Sequence, residues 1–132
     1  MAAENIDTMR RAYDAFNRGD IDTVMDILDP NVEWHEPEVE GIPFAGTHRG
    51  SQQVTENVFQ PALEHYDNFQ VVPEEFLDAG ERVVALGRFK GRAKATGRTL
   101  DAPFAHVWAL RNGKAVSFRN YTDTAQFLQT LG

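Results

Sequence analysis

The sequence predicts a single α+β domain in which helices pack on one face of a curved sheet. The early segments carry apolar residues at helical spacing, whereas most of the second half alternates apolar and polar residues as strands do. Asn112-Gly113, between the last two alternating segments, is a strong hairpin signal. A chain of 132 residues has the length of one domain, so we treat 1–132 as a single unit.

The chain begins with two predicted helices. The first has an apolar face at helical spacing, formed by Ile6, Met9, Tyr13 and Phe16. Gly19 suits the left-handed end of that helix, and Asp20 suits the cap of the next. The second helix is expected to stop at Asp29-Pro30, and its apolar residues are Ile21, Val24, Met25 and Leu28.

A strand, a loop and a third helix are predicted next. Residues 32–37 alternate, with Trp34 and Glu36 on one face, and Pro37 ends the strand. Residues 38–50 are rich in glycine and predict a long ordered loop, a type of segment that often covers a site. The third helix follows Ser51, with a kink or stop at Pro61 and an inward face of Val54, Val58, Phe59 and Leu63.

The remainder of the chain predicts a run of antiparallel strands and a short closing helix. The strands are expected at 66–78, 82–95, 99–111 and 114–122, with turn residues between them. The helix is expected from Asp123 to Leu131.

Composition excludes several classes of protein. A net charge of −7 argues against a nucleic-acid binder, and the lack of cysteine excludes disulfides and thiolate metal sites. No apolar run reaches the roughly 20 residues of a membrane span, and the N-terminus does not resemble a signal peptide. We therefore expect a cytoplasmic protein with neither a nucleic-acid nor a membrane partner.

A strip of basic residues occupies one predicted strand face, because Arg88, Lys90, Arg92 and Lys94 recur at a spacing of two. Three interpretations stay open. The strip is a solvated sheet face, a contact with an acidic helix face of this chain or a partner, or a site for an anionic substrate.

Several segments together resemble the SnoaL-like polyketide cyclase group of the nuclear transport factor two-like superfamily, whose relatives include ketosteroid isomerases and limonene-epoxide hydrolases. The resemblance covers nearly the whole chain, and its segments are 13–20 (YDAFNRGD), 32–37 (VEWHEP), 41–50 (GIPFAGTHRG) and 104–123 (FAHVWALRNGKAVSFRNYTD). It implies a conical half-barrel of mixed or antiparallel strands, with helices over its concave face enclosing an apolar pocket. It also implies a homodimer formed through the outer sheet face.

Three residues are candidates for catalysis by this resemblance. Asp123 matches the acid/base aspartate of the cyclases, but Asp123-Thr124-Ala125-Gln126 is also typical of a capping box, which would hold the carboxylate ionised. His106 matches a histidine near that aspartate and could exchange a proton at neutral pH. It is equally interpreted as a core residue, or as pointing away from the pocket if Ala105 and its neighbours face inward.

Glu36 matches the aspartate that moves the substrate proton in ketosteroid isomerases. Its neighbour Trp34 would raise the pKa of the carboxyl group. The alternative is a glutamate at the strand end that faces solvent.

Two departures argue against the best-known activities. The oxyanion donors of the isomerases correspond to Ala12 and Ala105, with Tyr13 rotated by about 100° around the helix. Arg88 matches an arginine of the epoxide hydrolases, but Lys90 replaces their aspartate.

We therefore expect either a cofactor-independent acid/base enzyme (an isomerase, cyclase or hydrolase for a small hydrophobic carbonyl compound) or a non-catalytic protein that binds a small hydrophobic molecule. Asn120 would donate to an enolate oxygen, no metal is expected, and Tyr121 would lie on the outer face. The residues expected to contact the ligand are Tyr13, Trp34, Phe44, Phe59, Arg88, Phe104, Trp108, Phe118 and Asn120.

Overall fold

The computed structural model describes residues 2–132, with side chains described from residue 4 onward. The helices are α1 (Ala2–Asn17), α2 (Ile21–Ile27), α3 (Ser51–Val54), α4 (Gln60–His65) and α5 (Thr124–Leu131), and a π-helical segment (Thr55–Phe59) joins α3 to α4. The strands are β1 (Leu28–His35), β2 (Thr47–Arg49), β3 (Tyr66–Ala79), β4 (Arg82–Ala93), β5 (Thr99–Arg111) and β6 (Lys114–Thr122). No helix within residues 2–132 is long and apolar enough to cross a membrane.

The six strands form one curved, unclosed sheet in the order β2-β1-β6-β5-β4-β3. Strands β1 and β6 run parallel, and every other neighbouring pair is antiparallel, so the sheet is mixed. Helix α1 packs against β3 and β4, and α5 packs against β5 and β4. The apolar faces of the helices and the inner face of the sheet together form the core, as the predicted fold class requires.

Two predicted turns have the expected backbone. Gly19 has φ +81° at the end of α1, and the side chain of Asp20 accepts the backbone N–H of Thr23 at the start of α2. Asn112 and Gly113 both have positive φ, which is the requirement of a tight hairpin turn.

The loop predicted for residues 38–50 contains one short strand. Thr47–Arg49 forms β2, which pairs with residues 33–35 of β1. Strand β1 also begins earlier than expected, at Leu28, because Pro30 lies within a break in the β1–β6 register rather than before the strand. Strand β2 has only three residues and no clear alternation, so periodicity in the sequence could not reveal it.

The third predicted helix needs two corrections. Pro61 does not stop it, because Pro61 lies at the start of α4, where its missing N–H costs little. Leu63 does not face inward and is 40% exposed, whereas Ala62 is buried. Ala62 lies four residues after Val58 and eight after Val54, so helical spacing places it on the same face as these two buried residues and directs Leu63 about 100° further round.

The basic strip lies on the outer face of the sheet, and cross-strand partners neutralise part of it. Arg88 Nε donates to Asp101 Oδ1 at 2.5 Å, and Lys94 Nζ lies 3.9 Å from Asp67 Oδ1. These are exposed pairs. The expectation that Arg88 contacts the ligand is therefore corrected, since alternation along β4 directs Arg88 away from the core side of the sheet.

Gly87 allows two strands and an aromatic ring to come close together. A Cβ at this position would lie 2.0 Å from the carbonyl oxygen of Val72 and 2.8 Å from the ring of Phe104. The site coincides with a break in the β3–β4 register after Pro73. Glycine is therefore required here by space, not by φ.

We predict that Gly87→Ala lowers the free energy of unfolding by about 1–3 kcal/mol, because the new methyl group has no room beside a backbone oxygen. Chemical denaturation at fixed pH measures this loss. Gly91→Ala on the same strand is the matched control, because its Cβ would meet its nearest neighbour at 3.4 Å, an ordinary contact. Equal losses in the two variants would contradict the proposed steric cause.

Candidate functional site

An apolar pocket lies between α1, the π-helical segment and the inner face of the sheet, with a cavity volume of about 70 Å³. Apolar cavities of about 150 Å³ accommodate benzene, so an aromatic ligand would have to displace side chains here. The lining residues are Tyr13, Phe16, Val24, Trp34, Glu36, Phe44, Val58, Phe59, Ala62, Phe69, Val71, Phe89, His106, Trp108 and Phe118.

Most of the predicted wall does line this pocket, and two expected residues lie just behind it. Phe104 is buried and stacks on His106 with ring centroids 3.8 Å apart, so it supports the histidine from the side. Asn120 is buried beside the pocket and contacts Glu36. The pocket wall also contains Phe69, Val71 and Phe89, which were not among the expected residues although strand alternation places them on the inner face.

The carboxylate of Glu36 is buried and held by two donors. Trp34 Nε1 donates to Oε2 at 2.7 Å, and Asn120 Nδ2 donates to Oε1 at 2.8 Å. Trp34 and Glu36 share a face because they are two residues apart in extended backbone, and the parallel β1–β6 pairing brings Asn120 alongside. Glu36 is only 8% exposed, so the solvent-facing alternative is wrong.

Burial raises the pKa of Glu36 from 4.5 to about 7, and the hydrogen bonds from Asn120 and Trp34 offset part of this rise. The carboxyl group is therefore divided between its protonated and ionised forms near neutral pH. A carboxyl group in that condition can accept and return a proton under ordinary cellular conditions.

His106 lies on the inner face of β5 and is 3% exposed. Desolvation lowers the pKa of His106 well below 6.5, and its interaction with Asn120 only partly opposes this effect. The ring is therefore neutral at pH 7. The expectation that His106 exchanges a proton at neutral pH is corrected accordingly, and Glu36 has the pKa suited to that task.

Tyr13 connects His106 to a second side chain. Its hydroxyl lies 2.7 Å from His106 Nδ1 and accepts the N–H of Trp108 at 2.8 Å. Helix α1 presents this side chain directly to the pocket, so the offset of about 100° from the isomerase donor position does not take Tyr13 away from the site where it was expected to contact the ligand. Burial raises the pKa of Tyr13, so its hydroxyl keeps its hydrogen.

Two buried polar atoms of this site have no hydrogen-bond partner among the described residues: His106 Nε2 and Asn120 Oδ1. Their residues are direct neighbours across the β5–β6 pairing. Buried polar atoms are usually paired, and because the pKa of His106 already reflects an interaction with the Asn120 side chain, a small adjustment would let these two atoms satisfy one another.

Asp123 lies outside the pocket. It is exposed, and its carboxylate accepts the backbone N–H of Gln126 at 3.4 Å and the side-chain amide of Gln126 at 3.3 Å. This is the capping arrangement at the start of α5. The structure thus brings Glu36 and His106 to one pocket but does not bring Asp123 to it, and an enzyme hypothesis centred on Asp123 loses its geometric support.

An open groove of about 510 Å³ reaches Glu36 from the other side. It lies where the β1–β6 pairing ends, beyond His35 and Arg119. Glu36 and Asn120 both border the groove, so the carboxyl group stands between the apolar pocket and solvent. Tyr121, which is 55% exposed, also borders this groove. The homodimer expected through the outer face of the sheet stays a prediction.

Among the described residues, no three His, Asp or Glu side chains lie close enough together to hold a metal ion.

The raised pKa of Glu36 predicts a pH-dependent stability. Between pH 4.5 and about 7 the folded protein holds a proton that the unfolded chain has released, so the free energy of unfolding falls as pH rises through this window. Glu36→Gln removes this dependence. The titration of His106 changes the free energy of unfolding equally in the variant and in the unsubstituted protein. Urea unfolding should therefore show the variant gaining on the unsubstituted protein by on the order of 3 kcal/mol from pH 4.5 to 7.

Glu38→Gln is the control for this measurement, because Glu38 is exposed two residues further along the chain. Its substitution should change the free energy of unfolding by less than about 0.5 kcal/mol. A difference between Glu36→Gln and the unsubstituted protein that stays constant across the window would show that the carboxyl group of Glu36 is not desolvated.

Comparison with known proteins agrees with this fold. An NTF2-like protein of unknown function from Burkholderia pseudomallei is 33% identical over 97% of both chains, with a TM-score of 0.88. TerC, crystallised with polyporic acid, is 29% identical over 97% of this chain and 98% of its own, with a TM-score of 0.87. A putative SnoaL-like polyketide cyclase from Jannaschia sp. CCS1 shares the fold at 19% identity, with a TM-score of 0.82 over 98% of this chain and 92% of its own.

No curated protein matches the sequence. The SnoaL-like domain, in contrast, matches residues 9–118, which include the second half of α1, the whole pocket wall and most of the sheet. On this match and on the shared fold, the chain belongs to the SnoaL-like domain family.

Proposed function

We propose that this protein is a cofactor-independent acid/base catalyst for a small hydrophobic carbonyl compound, with Glu36 as the base. One observation carries the proposal. The carboxylate of Glu36 is buried at the wall of an apolar pocket, is fixed by two donors, and has a pKa of about 7.

The proposed step is proton abstraction next to a carbonyl group. Ionised Glu36 takes the proton, the C–H bond breaks, and its electron pair moves to the carbonyl oxygen to form an enolate. Protonated Glu36 can then return the proton to a different carbon, which isomerises the substrate. Alternatively the enolate carbon attacks a second carbonyl group of the same molecule, which closes a ring and leaves an alkoxide, and protonated Glu36 returns its proton to that alkoxide oxygen.

The apolar lining of the pocket supports this assignment. Its wall is almost wholly apolar, so a bound substrate would be held by burial, worth about 25 cal/mol per Å² of apolar surface. Asn120 and Trp34 keep the carboxylate oriented, and positioning of this kind is a large part of acid/base catalysis. The small resting cavity favours a compact substrate or a pocket that widens on binding.

One observation supports a second candidate function. The pocket is lined almost entirely by apolar side chains, which suits a protein that binds a small hydrophobic molecule without changing it. The relative TerC was crystallised with polyporic acid, which supports ligand binding in either case. The experiment below distinguishes the two functions because it measures proton transfer directly.

Hydrogen–deuterium exchange at the carbon next to a carbonyl group tests the proposal without a known product. A panel of small hydrophobic ketones is incubated with the protein in D₂O and followed by NMR. We predict catalysed exchange that Glu36→Gln lowers by roughly 10²- to 10⁴-fold, the usual contribution of a positioned base. The exchange rate should rise as pH increases through about 7, because only ionised Glu36 accepts the proton.

Asp123→Asn is the matched control, since it removes a carboxylate that lies outside the pocket. Its exchange rate should equal that of the unsubstituted protein. Binding of the same ketones with no exchange would identify a binding protein. Exchange that survives in Glu36→Gln and disappears in Asp123→Asn would transfer the role to Asp123.

A further inference from the structure

Phe44 differs from the rest of the pocket wall in how it is held. Among the described residues that line the pocket, only Glu36 and Phe44 lie outside the helices and strands. Glu36 is fixed by its two hydrogen bonds, whereas the side chain of Phe44 is held by packing, with its ring edge-on to that of Phe127 at a centroid distance of 5.5 Å. Phe44 is therefore the part of the wall that can be displaced without breaking a helix or the sheet.

The segment that carries Phe44 is a closed loop, residues 37–46, whose two ends are tied to each other. The backbone N–H of Glu36 donates to the carbonyl oxygen of Gly46 at 3.0 Å, and the N–H of Gly46 donates to the carbonyl oxygen of Pro37 at 3.4 Å. In the part of the chain that the structure describes, no backbone hydrogen bond joins residues 38–45 to a helix or strand. Compact loops with adjoining ends are often functional, and segments with few hydrogen bonds to the rest of a protein open at the lowest cost.

Side chains hold this loop in its closed position. Ile42 and Phe44 are buried, and His48 Nε2 donates to the carbonyl oxygen of Phe44 at 3.1 Å. Gly46, at the end of the loop, has φ +93°, and a Cβ there would meet no atom within 4 Å. Backbone rotation at Gly46 is therefore unobstructed, and glycine tolerates the widest range of backbone angles.

Solvent lies directly behind Phe44. Pro43 is exposed and Phe44 is buried, so the change from solvent to pocket wall takes place within one residue. An open groove of about 420 Å³ borders the same loop at Gly41, Ile42 and Pro43. The loop is thus a thin layer over the pocket, with open space on its outer side into which it can move.

The size of the pocket requires part of its wall to move. The resting cavity of about 70 Å³ is too small for benzene. The side chain of Phe44 itself ends in a ring of that size, so its withdrawal leaves room for one. The apolar burial that Phe44 loses is then largely regained when the ligand covers the same part of the wall.

We infer that Phe44 is the gate of this pocket: the loop of residues 37–46 moves outward, and the ring of a compact apolar ligand takes the space that the Phe44 ring holds when the pocket is empty. The inference rests on the proposed function only in taking this pocket as the ligand site. It does not require that Glu36 catalyses a reaction.

The rate of benzene binding tests the gate. The two tryptophans of the chain, Trp34 and Trp108, both line the pocket, so their fluorescence reports the entry of benzene. An open form populated at about 0.1–10%, as minor states commonly are, slows association by the same fraction. Phe44→Ala should therefore raise the association rate constant about 10- to 1000-fold in stopped-flow measurements.

Phe69→Ala is the matched control. It also removes a phenyl ring from the pocket wall, but Phe69 is carried by β3, so the cavity widens while the entrance stays closed. Its association rate constant should stay close to that of the unsubstituted protein. An equal acceleration in the two variants would overturn the inference, and so would a failure of benzene to change the fluorescence of both the unsubstituted protein and Phe44→Ala.

Limited digestion with chymotrypsin tests the gate in the unsubstituted protein, so the result does not depend on the folding of a variant. This protease cleaves after aromatic residues, and exposed loops are the preferred sites of such cleavage. Because the bound ligand holds the loop open, benzene should increase cleavage after Phe44 several-fold but should not increase cleavage after Phe69. Protection of the bond after Phe44 by benzene, or cleavage there that benzene leaves unchanged, would contradict the gate.

Two results separate this inference from the proposed function. The expected association rates, with no deuterium exchange in any ketone, would uphold the gate and remove catalysis by Glu36. Deuterium exchange that depends on Glu36, with benzene entering Phe44→Ala no faster than the unsubstituted protein, would keep catalysis and overturn the gate.

Discussion

The placement of one carboxyl group in an apolar interior is the constraint on which the rest of this structure depends. An isolated buried charge is strongly penalised, so Glu36 is tolerable only where donors meet it and where its pKa can shift. Trp34, two residues before Glu36, and Asn120 of β6 each donate a hydrogen bond to its carboxylate. The parallel β1–β6 pairing brings the second donor to Glu36, and the hydrogen bond in turn links the two strands. Asn120 in turn neighbours His106, and the polar site therefore extends across three adjacent strands.

The fold was largely predictable from the sequence because its elements carry regular patterns. The four long strands alternate, and the hairpin at Asn112 has the turn residues that its backbone needs. The third helix was the least predictable. The apolar spacing along the chain does not reveal its π-helical turn, and it allowed Leu63 to be grouped with the inward residues although Leu63 is 40% exposed.

The candidate site was predictable in its members but not in its arrangement. Resemblance supplied Glu36 and His106, yet the burial of Glu36 depends on Asn120, 84 residues further along the chain. Tyr13 was expected at the site, but its hydrogen bonds with His106 and Trp108 join residues more than 90 positions apart in the chain, which periodicity does not reveal. For Asp123 the local pattern was the better guide. Its capping sequence correctly predicted a carboxylate bound to the start of α5, whereas the family resemblance suggested an acid/base role in the pocket.

The π-helical segment gives the pocket a means of changing shape that a regular helix lacks. A π turn is equivalent to one residue inserted into an α-helix, and Val58 and Phe59 of this turn form part of the pocket wall. Removing one residue there would restore continuous α-helical geometry and change which side chains of the turn line the pocket, while Pro61 and the start of β3 could keep their places. The specificity of the pocket can therefore be altered by the length of this segment as well as by its side chains, which makes chain length itself a variable of ligand selection.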